Sequence, residues 1–497
     1  MAQTVKLQTE GLEALRTINP LLVSYNVEMT EVTGGTFWKA YTDAQVDGTE
    51  PVPAPDFSKG MGAMHQWYDP IDTTNPRLIK LAKTLGKAWV RVSGTWATKT
   101  YYDFEGVGKA PEGYQNCLSK EQWINLLNFV KAIDGKLLIS VANCQGLHSA
   151  EEPWNPSQVE KIFALSTEHG VPIEAVEFTN EPNMMEATGF PKGYTPEHFR
   201  RDQDLFHKWV RENYPDCLIV GPCTCDPDAT KGNKKDASGG AGIADVLPSC
   251  TTGQLMDGCT EKLDVFSYHY YNGVSERMAA MMPNMYTPAE EAMSEDYLGM
   301  AGFCARSFAP YRDKYCPGGE MWVTESGDAG AGGHTWASTY LEVPRELNEF
   351  AEFATVTNGV IFHNTLASSD YGYLKHGTFE PRPSYFAALL WNQLMGHTVY
   401  DAKESARVYA HSRKDGKPGY TYLVINTSWT DNLTVELPKA AEVYALTGNG
   451  KMRSRTMLLN GKELVLGEND TLPDLSPITA EAGTLEIAPG SCTFIVI

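Results

Sequence analysis

Two acidic stretches stand out, Val176-Glu177-Phe178-Thr179-Asn180-Glu181-Pro182-Asn183 and Met321-Trp322-Val323-Thr324-Glu325-Ser326-Gly327. In each, a mostly apolar, β-favouring run ends in a glutamate followed by a turn-forming Pro or Gly, as when a buried parallel strand delivers a carboxylate to its C-terminal mouth. Two such carboxylates facing one another suit cleavage of a glycosidic bond: one protonates the departing oxygen, and the other attacks or activates water. Asn180 adds an amide beside Glu181 that can bond a sugar hydroxyl. An isolated Asn-Glu-Pro is a common solvated turn, so the reading depends on where the chain places these residues.

The elements that position them follow an alternating pattern. Helix starts at Asn75-Pro76, at Ser119 with its capping-box Gln122, at Asn155-Pro156 and at Thr195-Pro196 are each followed by an apolar β-rich run, three of them after a Gly stop. Together with runs at Leu21–Tyr25, Leu263–His269, the Glu325 stretch and Gly359–His363, this gives eight strands and predicts a (β/α)8 barrel. Beyond residue 396 the texture changes to short strands broken by Asp415-Gly416, Asn449-Gly450 and Asn460-Gly461, an antiparallel β-sandwich. The expected organisation is an N-terminal strand within residues 1–16 joining the sandwich, a barrel over 17–396 and a sandwich over 397–497. A long loop, Gly34 to Asp72, carries Phe37, Trp38, Tyr41, Trp67 and Tyr68 and should overhang the barrel mouth.

A formal net charge of −21 works against nucleic acid as a partner. The lysines at 231, 234 and 235 are a local exception, read as a solvated loop. No apolar run approaches ~18 residues, so no membrane span is expected. The first residues lack a signal-peptide core, and localisation stays open, with secretion or periplasmic export expected if a leader has been removed. Ten cysteines without a Cys-x-x-Cys, and histidines without metal-ligand spacing, predict no metal site and no cofactor; Cys250/Cys259 and Cys304/Cys316 are close enough in sequence for local disulfides.

The motifs resemble clan A of the retaining glycoside hydrolases, and more closely family 79, the heparanase and β-glucuronidase family. The likeness is carried by Trp89-Val90-Arg91-Val92-Ser93-Gly94-Thr95, Glu177 to Asn183, Tyr268-His269-Tyr270-Tyr271-Asn272-Gly273, Glu325-Ser326-Gly327 and Arg382-Pro383-Ser384-Tyr385-Phe386. It implies Glu181 as acid/base and Glu325 as nucleophile; by their places at the ends of the second and sixth strands, Arg91 is expected to hold Glu325 ionised and His269 and Tyr270 to orient it or touch substrate. It also implies a uronate grip from Gly332 and Gly333 in the glycine-rich loop and from Tyr371. Asp370 adds an acid there, which weighs towards a neutral sugar. The expected activity is a retaining, exo-acting β-glucuronidase on a uronic-acid-containing glycan or glycoside. The alternatives are a neutral-sugar β-xylosidase or β-glucosidase, a heparanase-like endo-β-glucuronidase and a non-catalytic glycan-binding barrel.

Overall fold

The computed structural model describes residues 4–56, 58, 60–225, 249–404 and 407–497; the 231–235 lysine cluster lies outside them. Eight parallel strands close into a barrel: Val23–Glu28, Trp89–Ser93, Lys136–Ser140, Ala175–Glu177, Leu218–Thr224, Val265–Tyr271, Glu320–Gly327 and Ile361–His363. They are numbered first to eighth below. The expected caps form: Asn75 Oδ1 accepts from Arg77 N and Leu78 N, and Ser119 and Gln122 make a reciprocal capping box.

Because side chains alternate across a strand, every second residue points into the barrel, and these residues fall into two layers. The lower layer is apolar: Trp89, Leu138, Ala175, Val220, Val265, Trp322, Val360 and Phe362 pack together, with the Trp89 and Trp322 rings 5.1 Å apart. Towards the C-terminal mouth the same faces turn polar, with Asn26, Arg91, Ser140, Glu177, Ser267 and His269 all buried. A dry apolar floor under a polar mouth fixes the depth at which chemistry can occur.

The strands from Met395–Tyr400 to Cys492–Val496 form the sandwich sheets, joined by the N-terminal arm. Thr4–Lys6 pairs in parallel with Leu433–Leu437, and Ala14–Thr17 pairs antiparallel with Met395–Tyr400. The strand Tyr420–Ile425 packs on both sides. Tyr422 and Val424 face the sandwich interior with Val5, Val435 and Ile495, whereas Leu423 and Ile425 join the main barrel core with Leu446 and Phe494. Tyr340, in the connection after the seventh strand, sends its hydroxyl to Leu446 O (2.8 Å) and Gly490 O (2.9 Å), tying the two parts together. All ten cysteines are free, so neither local disulfide forms. No helix of the described residues is long and apolar enough to cross a membrane.

Candidate active site

Glu181 and Glu325 meet at the mouth, with His269 between them. One ligand atom from each of the three lies within 4.8 Å of the others. His269 Nδ1 is 3.0 Å from Glu181 Oε1 and 3.6 Å from Glu325 Oε2. Its Nε2 is 3.3 Å from Arg91 Nη2, and a guanidinium only donates, so Nε2 accepts and the ring proton resides on Nδ1, pointing at the carboxylates. Such a trio has the spacing of a three-ligand metal site, but Arg91 already places a fixed positive charge 3.4 Å from Glu325 Oε2, against which a divalent ion would be repelled.

The fourth strand ends at Glu177, four residues before Glu181, which the sequence placed at the strand end. Beyond the ladder, Glu181 itself is left-handed (φ 45°, ψ 57°) and is followed by Pro182, which has no N–H to give. A non-glycine residue in that region costs about 1–3 kcal/mol, and such strain concentrates where a side chain must be held at a fixed angle.

Arg91 is the hub beneath the pair. Its Nε and Nη2 both reach Glu177 Oε2 at 2.9 Å, Nη2 also donates to Asn180 Oδ1 (2.8 Å), and Nη1 reaches Glu325 Oε2. Burial works against its charge, but Glu177 and then Glu325 outweigh it and hold its pKa above the usual arginine value. The expectation that Arg91 serves Glu325 is therefore incomplete: its nearer partner is Glu177. Asn180, with its oxygen engaged by Arg91 and by Ser93 Oγ (3.3 Å), keeps its NH2 for a ligand.

The expectation for Tyr270 is corrected. Neighbours on a strand face opposite sides, and with His269 inward Tyr270 points outward into the helix-facing core, its hydroxyl unpartnered and its pKa raised by burial and by Glu349. Tyr271 is the tyrosine at the mouth. It donates to Glu325 Oε1 at 2.6 Å, and burial together with the Glu325 charge raises its pKa, so it remains a donor.

Glu28, at the end of the first strand, was missed. It is buried, and its pKa is driven well above the usual carboxylate value by burial, then by Glu325 and Glu31. Gly94 makes room for it: a Cβ there would lie 1.5 Å from Glu28 Oε2, and φ is +88°. Gly94→Ala is accordingly expected to displace Glu28, lowering stability by about 1–3 kcal/mol and kcat/KM by about 10²-fold. Thermal unfolding and steady-state rates would check this; an unchanged rate would remove Glu28 from the site.

The glycine loop is held from behind. Ala331, Gly332 and Gly333 have φ of 64°, 87° and 80°, and Ala331 tolerates the left-handed region at a cost of about 1–2 kcal/mol. Arg277 Nη1 donates to Ala331 O (3.1 Å) and Gly333 O (3.2 Å), and its guanidinium stacks 3.7 Å from the Tyr41 ring. Glu276 accepts from Thr335 N and Oγ1, and the His334 and Thr335 contacts overcome burial to bring its pKa down to about 2. Gly333 N is bonded to Ala329 O (3.1 Å), so its amide is not free, contrary to expectation. Among the described residues the N–H groups of Ala331 and Gly332 have no protein acceptor.

Tyr371 packs against this loop, where a Cβ on Gly333 would come within 2.9 Å of its ring. His363 Nε2 lies 2.6 Å from the Tyr371 carbonyl, and Asn364 donates to the Tyr371 hydroxyl (3.2 Å). Asp370, the acid that weighed against a uronate, is paired with Arg277 (3.3 Å) and accepts from Tyr41 N (3.3 Å). Its charge is thereby offset by Arg277.

No family model matches the chain. It is 24% identical to heparanase-like protein 1 of Arabidopsis thaliana over 86% of its own length and 85% of that protein. It is 25% identical to a hyaluronoglucuronidase of Hirudo nipponia, covering 86% of the chain and 90% of that protein. With baicalin-beta-D-glucuronidase of Scutellaria baicalensis it shares 28% identity over 61% of the chain and 55% of that protein. Among solved structures, a 4-O-alpha-L-rhamnosyl-beta-D-glucuronidase from Fusarium oxysporum 12S superposes with a TM-score of 0.64 at 11% identity, each chain fully covered. These likenesses carry the barrel-plus-sandwich fold and extend the resemblance to the heparanase and glucuronidase family along most of the chain, which is a glycoside hydrolase.

Proposed function

We propose that the protein is a retaining, exo-acting β-glucuronidase working by double displacement. The observation that carries this is the close approach of Glu181 and Glu325 beside a glycine loop with two unengaged N–H groups. Carboxyl groups roughly 5–5.5 Å apart suit a nucleophile and an acid/base, whereas inversion needs space for a water between them.

In the first step Glu325 attacks the anomeric carbon as the bond to the aglycone oxygen breaks, and Glu181 passes its proton to that oxygen. Tyr271 and Arg91 keep the attacking carboxylate oriented and anionic. In the second step the Glu181 carboxylate takes a proton from water, the water oxygen attacks the same carbon, and Glu325 leaves. Asn180 NH2 suits the sugar 2-hydroxyl, a contact that strengthens in the transition state.

The uronate carboxylate would be received by Ala331 N, Gly332 N and the Tyr371 hydroxyl, with the neighbouring Asp370 paired to Arg277. An exo mode is supported by the hairpin Gly35–Trp38 and His65–Tyr68: Trp38 abuts Gly332, and Tyr41 donates to Gly333 O (2.8 Å), walling off the side beyond the uronate.

Matched aryl β-glucuronide, β-glucoside and β-xyloside test the reading. Turnover is expected on the glucuronide, with nuclear magnetic resonance detecting the β-anomer of free glucuronic acid before mutarotation. Turnover of a neutral sugar would sink the uronate grip while keeping the carboxylate pair; first release of the α-anomer would sink the double displacement.

A further inference from the structure

Apart from the catalytic mouth, the chain encloses a cavity of about 510 Å³, within the ~300–1,000 Å³ typical of small-ligand sites. Three parts of the chain wall it: Tyr41 and Tyr68 from the connection after the first strand, Lys375 and Arg382 from the connection after the eighth, and Met457 and Leu464 from the sandwich. Glu181, His269, Glu325, the glycine loop and Tyr371 do not line it. Tyr41 and Asp370, which do, both contact the Arg277 guanidinium that braces the glycine loop, so the cavity lies behind that loop.

Its charges do not cancel. Each acid in the lining has a cation of its own: Asp43 is 3.1 Å from Arg455, Asp370 3.3 Å from Arg277 and Glu380 3.4 Å from Arg77. Of the lining lysine and arginines only Arg455 has a carboxylate partner among the described residues, which leaves Lys375 and Arg382 unpaired. Arg382 is partly buried, and its Nη1 donates to the carbonyls of Ser369 (2.9 Å), Asp370 (2.8 Å) and Gly372 (2.9 Å). The other edge of the guanidinium, Nε with Nη2, has no acceptor among the described residues. That edge has the fork geometry that takes a carboxylate bidentately. Burial lowers the Arg382 pKa against the opposing Asp370 and Tyr68, a cost that an anion on the free edge would offset. The helix Pro383–Leu394 also starts here without a side-chain cap, adding its positive end. Beside Lys375, the buried Nδ1 of His376 has no partner either. Much of the remaining lining is apolar: Val46, Phe386, Met457, Leu464 and Leu466, with Val465 45% exposed. Such a surface leaves sugar hydroxyls without partners and suits a hydrocarbon body.

We propose that this cavity is a non-catalytic ligand site for a carboxylate borne on an apolar aryl or acyl body, the carboxylate on the free edge of Arg382 and the body against Leu464, Val465 and Leu466. The inference is independent of which sugar the catalytic mouth takes. Neither part of the ligand suffices alone: the cations need the anion, and the apolar wall needs the body.

Calorimetric titration of the full chain with 4-phenylbutyrate tests this, with 4-phenylbutanamide as the neutral isostere and acetate as the carboxylate without a body. Phenylbutyrate is expected to bind at a single site at least about tenfold tighter than either control. Two variants probe the two halves of the site, Lys375→Glu beside the anion and Val465→Asp on the apolar wall. Both side chains are exposed, so the thermal midpoint should stay at that of the parent. Each variant is expected to weaken phenylbutyrate binding about tenfold while kcat/KM on an aryl glycoside is unchanged. Added salt should weaken the parent's binding more than that of Lys375→Glu. Binding that is equal in the parent and both variants would place the carboxylate elsewhere and overturn the proposal, as would an amide or acetate that binds as well as phenylbutyrate, or no binding at all. The sugar preference of turnover is read separately, so loss of the glucuronidase reading would leave the binding result standing.

Discussion

Glu325→Ala is expected to lower turnover of an aryl β-glucuronide by at least ~10⁴-fold, more than ~5 kcal/mol of transition-state stabilisation. The reason is geometric. In the proposed mechanism Glu325 is the carboxylate that attacks the anomeric carbon, and Tyr271, Arg91 and His269 anchor it. The fold should tolerate the loss. Arg91 keeps its closer partner Glu177, and removing the Glu325 charge relieves Glu28, whose pKa that charge raises. A thermal midpoint equal to or above that of the parent is therefore expected, as where activity is bought with local strain. Added azide, small enough to enter the space of the missing carboxylate, should restore turnover and give the α-glycosyl azide by a single displacement. Glu181→Ala should respond differently, retaining the first step on aryl groups that leave without protonation and yielding the β-azide. A Glu325→Ala protein keeping more than about a tenth of parent activity, or yielding the β-azide, would exclude Glu325 as nucleophile.

Much of the scaffold was legible because parallel barrel strands are buried on both faces and read as apolar runs between capped helices. The first strand shows where this fails. It was expected at Leu21–Tyr25 and runs Val23–Glu28. Its inward Ser24, Asn26 and Glu28 alternate with Tyr25 and Val27, and a run whose polar residues face a polar mouth does not read as a buried strand. Glu28 was lost with those last residues, although a β-run ending in glutamate is the same signal that exposed Glu325. Tyr270 is a different error, because alternation was sufficient to choose Tyr271 once His269 was placed inward. The Arg277–Asp370 pair, 93 residues apart in sequence, depends on how two long connections pack over the mouth. No local pattern carries that information, so the acid next to Tyr371 weighed against a uronate until its partner was known.

Arg91→Met is expected to be the most damaging replacement for stability and to abolish measurable turnover. Glu177 has no exposed side-chain surface and Glu325 very little, and Arg91 is the cation both share. Removing one partner of a buried pair while the other stays charged costs about 3–5 kcal/mol, largely the penalty of the stranded charge rather than the net worth of the pair. Activity falls for separate reasons: His269 Nε2 loses the donor that fixes its tautomer, Asn180 Oδ1 loses the bond that aims its NH2, and Glu325 loses its neutralising neighbour. Arg91→Lys should recover part of the stability but little of the rate, because one ammonium cannot serve Glu177, Asn180, His269 and Glu325 in the geometry of a planar fork. The decisive comparison is the double variant Arg91→Met with Glu177→Met, followed by urea unfolding and by kcat/KM. Stability should return towards that of the parent as the stranded carboxylate is removed, while the rate stays low, giving a coupling energy of about 1–3 kcal/mol in stability and none that rescues catalysis. If the single and double variants were equally unstable, the Arg91–Glu177 pair would not be the hub of the mouth, and the positioning of Glu325 would have to come from Tyr271 and His269 alone.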